Sequence, residues 1–394
     1  MTATTVSARV RSLRSLPTRR PSDRVPPAPS DRRDVSLDLL RGLAMVILVV
    51  NHVHLETPLE HATRAFLSAA EVLVLVSGVV VGMVFGRRWI VRGARATTVA
   101  LLRRARTLYV ASVVVVGLVG LLTLVPGAAT DVLAFSPRAP DRDLYGFDGP
   151  VRMLFAILTL EAGPWQFNIL GFFIASLVAA PAVLHALERG WWPAVVLGSL
   201  ALYLLGRSWT VDVLPAQSER PFPFLVWQLL FVQGMVLGWY RDHLTRFARR
   251  HRTPIVGTVV ALALAAVAYR LQALGAGPAT REDWAAFQLD HYRKTSLDPL
   301  RILAIGAMTA AVYIGFRRFE RPIARTAGRV LLPLGRNSFY VFIVHVFLCL
   351  AVASVPPLAG ENAGDATAIA VQVACVAALW LMVRHRILFR WIPR

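Results

Sequence analysis

Apolar runs near the length of a bilayer crossing recur along the chain, and they constrain the fold more than any other feature. They lie near 37–55, 66–86, 107–126, 166–187, 191–207, 222–240, 254–272, 298–316, 331–355 and 366–383. A helix needs about 20 predominantly apolar residues to cross a hydrocarbon core of about 30 Å. Only closed barrels and helices satisfy their backbone polar groups in lipid, and runs this long are helical. The expected fold class is therefore all-α, a polytopic transmembrane helix bundle of about ten helices. The run 191–207 is short and opens Trp191–Trp192–Pro193, and the lesser apolar stretch 151–161 suits the outer interface or a re-entrant turn. Charged residues make up 17% of the chain, against about 25% in soluble domains.

The net charge of +20 is carried almost wholly by arginine, with Lys294 the single lysine. A soluble protein so basic would point to nucleic acid. Here the arginines fall between apolar runs, so topology explains them and no nucleic-acid partner is expected. Residues 1–33, rich in Arg, Pro and Ser, read as a disordered cytoplasmic tail, and 34–394 as one integral membrane domain. With the N-terminus inside, the tail and segments 87–106, 185–190, 241–253, 317–330 and 384–394 hold roughly 30 basic residues, as positive-inside sorting requires. Both termini are then cytoplasmic, in a multi-pass protein of the cytoplasmic (inner) membrane. Cys349 and Cys375 lie inside apolar runs, which disfavours a disulfide framework or a cysteine metal site.

The first apolar run, LDLLRGLAMVILVVNHVHLE, carries unusual chemistry. Asp38 and Arg41 are one turn apart and can pair. Arg41 and His52 are eleven residues apart, a net rotation of about 20° and a rise of about 16 Å, so Asp38, Arg41, Met45, Leu48 and His52 form one stripe. Asp38 and Arg41 suit an interfacial anchor, whereas a histidine at the depth of His52 needs a partner and can serve as a general base. Glu71 stands alone in the second run, SAAEVLVLVSGVVVGMVFG. A buried carboxylate needs a partner, and orienting His52, pairing with Arg41 or binding substrate are the open choices. Gly78 and Gly82 form a small-xxx-small face for close helix packing.

Ordered motifs carry a family resemblance. LDLLRG followed by Asn51–His52 and SAAEVLVLVSG resembles the OpgC family and, more distantly, the membrane acyltransferases of acyltransferase family 3, whose first helix bears an Arg and a His with ten residues between them, as Arg41 and His52 have. GPWQFNILGFFI (163–174), PFPFLVWQLLFVQGMVLG (221–238), RKTSLDPLRILA (293–304) and PLGRNSFYVFIVH (333–345) look like further family segments, together covering roughly 33–350. Arg293 and Asn337 depart from the pattern, where an acidic residue and a histidine are expected.

The resemblance implies an O-acyltransferase that moves an acyl group, typically succinyl, from a cytoplasmic acyl-CoA (succinyl-CoA or acetyl-CoA) to a hydroxyl of an extracytoplasmic glycan, with no bound cofactor. On that reading His52, Arg41, Glu71 and Asp38 are the catalytic candidates. The arginines between the second and third runs, Arg87, Arg88, Arg103 and Arg104 among them, offer guanidinium forks for CoA phosphates. Asn51, Asn168, Gln228 and Arg301 are candidate oxyanion or substrate donors. Lys294 suits a sugar or carboxylate contact, and His345 lines the cavity or relays a proton. The same intramembrane ionisable residues also fit a proton-coupled transporter or flippase, although no internal repeat is visible, or a scaffold subunit in which His52 is dispensable.

Overall fold

The computed structural model describes residues 34–66, 69–136, 139–208, 221–271, 292–355 and 364–393. The expected tail 1–33, and most of the expected outer loops 208–221, 273–297 and 356–365, lie outside the described residues. The described residues are mainly helical, joined by turns and one small hairpin. The helices are α1 (Val35–Val53), α2 (Pro58–Phe66), α3 (Ala69–Arg92), α4 (Ala94–Leu122), α5 (Pro150–Leu158), α6 (Leu170–Glu188), α7 (Trp192–Ser208), α8 (Phe224–Trp239), α9 (Arg241–Arg250), α10 (Arg252–Leu271), α11 (Pro299–Arg318), α12 (Gly328–Arg336), α13 (Ser338–Ala353) and α14 (Asp365–Arg384). Strands β1 (Phe135–Ser136) and β2 (Ala139–Asp143) pair antiparallel.

Among the described residues, seven helical segments are long and apolar enough to cross a membrane, or eight if the bent pair α12–α13 is one span. The apolar α8 is shorter than this length, and α7 has 17 residues. Two expectations need correction. The run 331–355 is not one helix but breaks at Asn337 with a 96° bend. The Asn337 side chain (2.8 Å) and its own backbone amide (3.2 Å) both donate to the Pro333 carbonyl, which closes the end of α12 at that point. The basic stretch 87–106 is not a loop either. It forms the end of α3 and the start of α4, broken only at Gly93, whose φ of +82° lies in the region glycine tolerates.

Helix α1 is the central pillar. Leu39, Leu40, Ala44, Met45, Val49 and Val50 cover all of its sides and are buried, as an all-round apolar helix requires. Asp34 caps it through the Leu37 amide (3.1 Å), and His54 ends it in the left-handed conformation. Two close approaches set the packing around it. On α3, Gly78 and Gly82 face Gly234 and Gly238 of α8 so closely that a methyl on any of the four would strike the other backbone. This is the small-xxx-small contact expected for Gly78 and Gly82, reciprocated by α8. Likewise Gly42 of α1 lies against Leu331, and Gly335 against the Asp38 carbonyl, so α12 lies on the first turns of α1. On the periphery, Val114, Leu118, Leu197, Leu264 and Leu381 are exposed. Apolar area on this scale, spread over span-length helices, belongs against hydrocarbon: the protein is an integral membrane protein.

Alternate helix ends converge at a basic end of the bundle. There Asp34 accepts from Arg241 and from the Tyr313 hydroxyl (3.0 Å), and Trp89 donates to Glu188 (2.8 Å). The opposite end holds the hairpin, α2, and the start of α11.

Candidate functional site

The predicted stripe of α1 faces inward, with Asp38, Met45 and Leu48 buried and Arg41 and His52 half-buried. Both of its functional side chains meet one helix, α13. Arg41 donates to the Ser338 hydroxyl at the first residue of α13. His52 lies 2.8 Å, Nδ1 to Nε2, from His345 in the middle of α13.

The hydrogen bonds of His345 fix the tautomers. His345 is fully buried, and its Nδ1 lies 2.6 Å from the Phe342 carbonyl oxygen. A carbonyl only accepts, so Nδ1 carries the proton. In the neutral ring Nε2 is then an acceptor. His52 must donate its Nδ1–H to it, which leaves the lone pair on His52 Nε2. The ring of Trp165 packs edge-on to His52 (centroids 4.9 Å apart) and is anchored by its own N–H to the Val132 carbonyl (2.9 Å). His52 is thus a base whose lone pair lies on a defined nitrogen, Nε2, with the ring oriented by a second group, which is the geometry general-base catalysis needs.

At the basic end three guanidiniums converge on the break between α12 and α13. Arg41 reaches Ser338, Arg104 lies over the Phe339 ring (5.4 Å), and Arg336 donates to Asp38 (3.3 Å). Asp38, a catalytic candidate, therefore holds α12 through Arg336. Arg103 projects outward and exposed, while Arg87 and Arg88 are half-buried at the end of α3.

Several candidates lie elsewhere. Glu71 is fully buried and takes Arg301 on one oxygen, Oε1, from Nε (2.7 Å) and Nη2 (2.6 Å). Arg301 also donates to the Tyr292 carbonyl (3.4 Å), and its guanidinium lies 5.1 Å from that ring's centroid. Glu71 and Arg301, expected as catalyst and oxyanion donor, are brought together in an ion pair that joins α3 to α11. The amide of Gln228, expected at the substrate, is spent on Ser199 (2.9 and 2.8 Å) and the Leu225 carbonyl (3.0 Å) and joins α7 to α8. Asn51 accepts from Thr63 (3.0 Å), and Lys294 lies over Phe222 (5.6 Å). Asn168 is buried three residues after Trp165, close in sequence to the His52 contact.

Sequence reasoning passed over Trp165, Arg336 and one further cluster. Glu60 is fully buried and accepts from His54 Nδ1 (2.9 Å), from the amides of Leu55 (3.1 Å) and Glu56 (3.0 Å), and from Gln372 (3.4 Å). Thr57–Pro58–Leu59–Glu60 has the form of a capping box with proline at N1, and the Glu60 amide donates to the Thr57 hydroxyl (3.1 Å), so a sequence signal was present.

Fold and site together define a helical integral membrane protein with an oriented histidine pair inside the bundle and an arginine cluster at one end. Residues 33–391, nearly the whole chain, match the OpgC protein family, and the chain belongs to that family. The match runs past the motifs ending near 350 to include α14. Comparison with curated proteins and with solved structures gives no match.

Proposed function

We propose that the protein is an O-acyltransferase of the cytoplasmic membrane that transfers an acyl group, succinyl by family resemblance, from acyl-CoA to a hydroxyl of an extracytoplasmic glycan. The observation that carries this reading is the fixed lone pair on His52 Nε2, placed by His345. In the reaction His52 Nε2 takes the proton of the glycan hydroxyl as its oxygen attacks the thioester carbonyl. The tetrahedral intermediate collapses, the C–S bond breaks, and the His52 imidazolium returns the proton to the leaving thiolate. The new ester and free CoA balance the step. His345 Nε2 accepts from His52 throughout and stabilises the imidazolium.

The basic end faces the cytoplasm on this reading, by the positive-inside rule. Arg41 and Arg104, at the start of α13, receive the anionic donor, with Arg87 and Arg88 as outlying phosphate contacts, whereas Arg103, which projects outward, stands apart from them. The more distant resemblance to acyltransferase family 3 supports the pairing of Arg41 with His52. A carrier is the second reading, favoured by the break at Asn337, since discontinuous helices line many transport sites.

The test is His52→Ala, with envelope glycans analysed by mass spectrometry at matched protein levels. Loss of glycan acylation by about 10²-fold or more is expected for removal of a general base. Unchanged acylation rejects the enzyme, and uptake of a polar solute driven by a proton gradient supports the carrier.

A further inference from the structure

A groove of about 740 Å³ runs along the outer side of α4, away from the histidine pair. Its floor is one stripe of α4 that begins with Arg103 and Arg106 at the basic end and continues through Val110, Val114 and Leu118. The fifteen steps from residue 103 to 118 rise about 22 Å. Half the hydrocarbon thickness of a bilayer is about 15 Å, so the stripe is longer than one leaflet's chain region. Val110, Val114 and Leu118 are 47%, 53% and 46% exposed.

The far wall is Ile343 and Phe347 of α13. These residues are four apart, and His345 lies between them, about 180° around the helix. The groove and the His52 contact therefore occupy opposite faces of α13. At the basic end the mouth is closed by the C-terminal segment, where Trp391 is 77% exposed, as an indole at a membrane interface is.

Charge decides what fits. Both guanidiniums at the mouth are exposed, the lining contains no acidic residue, and neither Arg103 nor Arg106 has a side-chain ion pair among the described residues. Beyond them the lining is apolar except for Thr107, whose hydroxyl is spent on the Arg103 carbonyl (2.9 Å). One cationic end and one long apolar trough match an amphiphile with an anionic head and an extended tail. A neutral lipid leaves the two cations unanswered, and a water-soluble anion leaves the trough uncovered.

We infer that this groove is a binding site for an anionic phospholipid, its phosphate between Arg103 and Arg106 and one acyl chain along α4 against Ile343 and Phe347. The site is separate from the acyl-transfer reading and stands without it.

The test uses the full chain purified in detergent and offered phosphatidylglycerol and phosphatidylcholine with identical acyl chains. Retained lipid is read by native mass spectrometry. Phosphatidylglycerol is expected to be retained in preference, and Arg103→Gln with Arg106→Gln to lower its retention by about fivefold for each guanidinium removed. These residues are exposed, so folding is not at stake. Val114→Trp, which fills the trough, is expected to lower retention of both lipids. Equal retention of the two lipids by the parent protein overturns the inference, and so does phosphatidylglycerol retention that survives either variant. Displacement of phosphatidylglycerol by an acyl-CoA assigns the groove to the thioester and overturns it as well.

Discussion

Removing the charge of Glu71 separates its structural from its chemical role. In Glu71→Gln the Arg301 guanidinium keeps a neutral amide where two short contacts, 2.6 and 2.7 Å, now meet a carboxylate oxygen. The side chains are 1% and 11% exposed, so water does not replace the lost partner. Breaking such a buried pair from one side costs about 3–5 kcal/mol, most of it the desolvated charge left behind. Replacing both partners by apolar groups removes that charge, and buried pairs so replaced are often neutral or stabilising. Glu71→Leu with Arg301→Met is therefore expected to recover most of the stability that Glu71→Gln loses. Thermal unfolding in detergent micelles, followed by tryptophan fluorescence, reads the first quantity, and glycan acylation reads the second. A double variant with parental melting and parental acylation confines the pair to clamping α3 on α11. Parental melting with abolished acylation returns Glu71 to the chemistry. If Glu71→Gln alone melts like the parent, the reasoning from burial is refuted.

Three further outcomes are expected. His345→Ala deprives the His52 Nδ1–H of its acceptor and is expected to lower acyl transfer by about 10²-fold, with His345→Gln, whose side-chain oxygen can accept, recovering part of it; equal activity in the parent and His345→Ala separates His345 from the reaction. Asp298, just outside α11, is pushed up by burial, but the Arg293 amide (2.6 Å), Ser296 (2.8 Å) and Arg207 (2.7 Å) outweigh this and hold it below the ordinary carboxylate range. Its stabilising effect is then complete above about pH 4 and lost as pH falls through the lowered value, so the melting difference between parent and Asp298→Asn is expected to shrink below about pH 4, and a difference that grows on acidification contradicts the assignment. Gly234→Ala places a methyl on the α3 backbone and is expected to cost about 1–3 kcal/mol, while Gly117→Ala, which meets open space, is expected to be neutral or slightly stabilising; melting curves of the two variants distinguish close packing from general glycine sensitivity.

The parts of this molecule legible in its sequence are those governed by local periodicity. The α1 stripe follows from 3.6 residues per turn, and Asp38, Arg41 and His52 are found where that period puts them. The α3 packing face was readable from Gly78 and Gly82, because small residues four apart have few other uses in a span. What periodicity does not carry is the choice of partner. Glu71 had three plausible partners in the sequence, and the structure gives it Arg301, 230 residues away. Gln228 is identical in type to a substrate-binding amide, and its three contacts with Ser199 and Leu225 could not be read from its position in the run. The stretch 87–106 misleads for a different reason. Its arginines resemble a loop by hydropathy, yet arginine is a good helix former, and Gly93 is the single residue that interrupts the helices on either side.

The break at Asn337 gives these partners their geometry. Helices α1 and α13 both run away from the basic end, and each of the two α1 groups finds its partner on α13. From Arg41 to His52 the rise is about 16 Å, whereas from Ser338 to His345 it is about 10 Å. Two rigid helices cannot bring both pairs into contact by backbone position alone. The difference, about 6 Å, is taken up by the long side chain of Arg41, which must reach along the axis to Ser338 while the short imidazole of His52 meets His345 almost directly. A continuous helix through 328–353 would carry residue 338 past Arg41 as part of a mid-helix surface. The 96° turn instead starts α13 beside Arg41 and lets α12 lie along α1, with Gly335 on the Asp38 carbonyl and Arg336 on its carboxylate. The turn at Asn337 therefore couples the arginine cluster to the histidine pair, and any change that straightens the chain there must separate them.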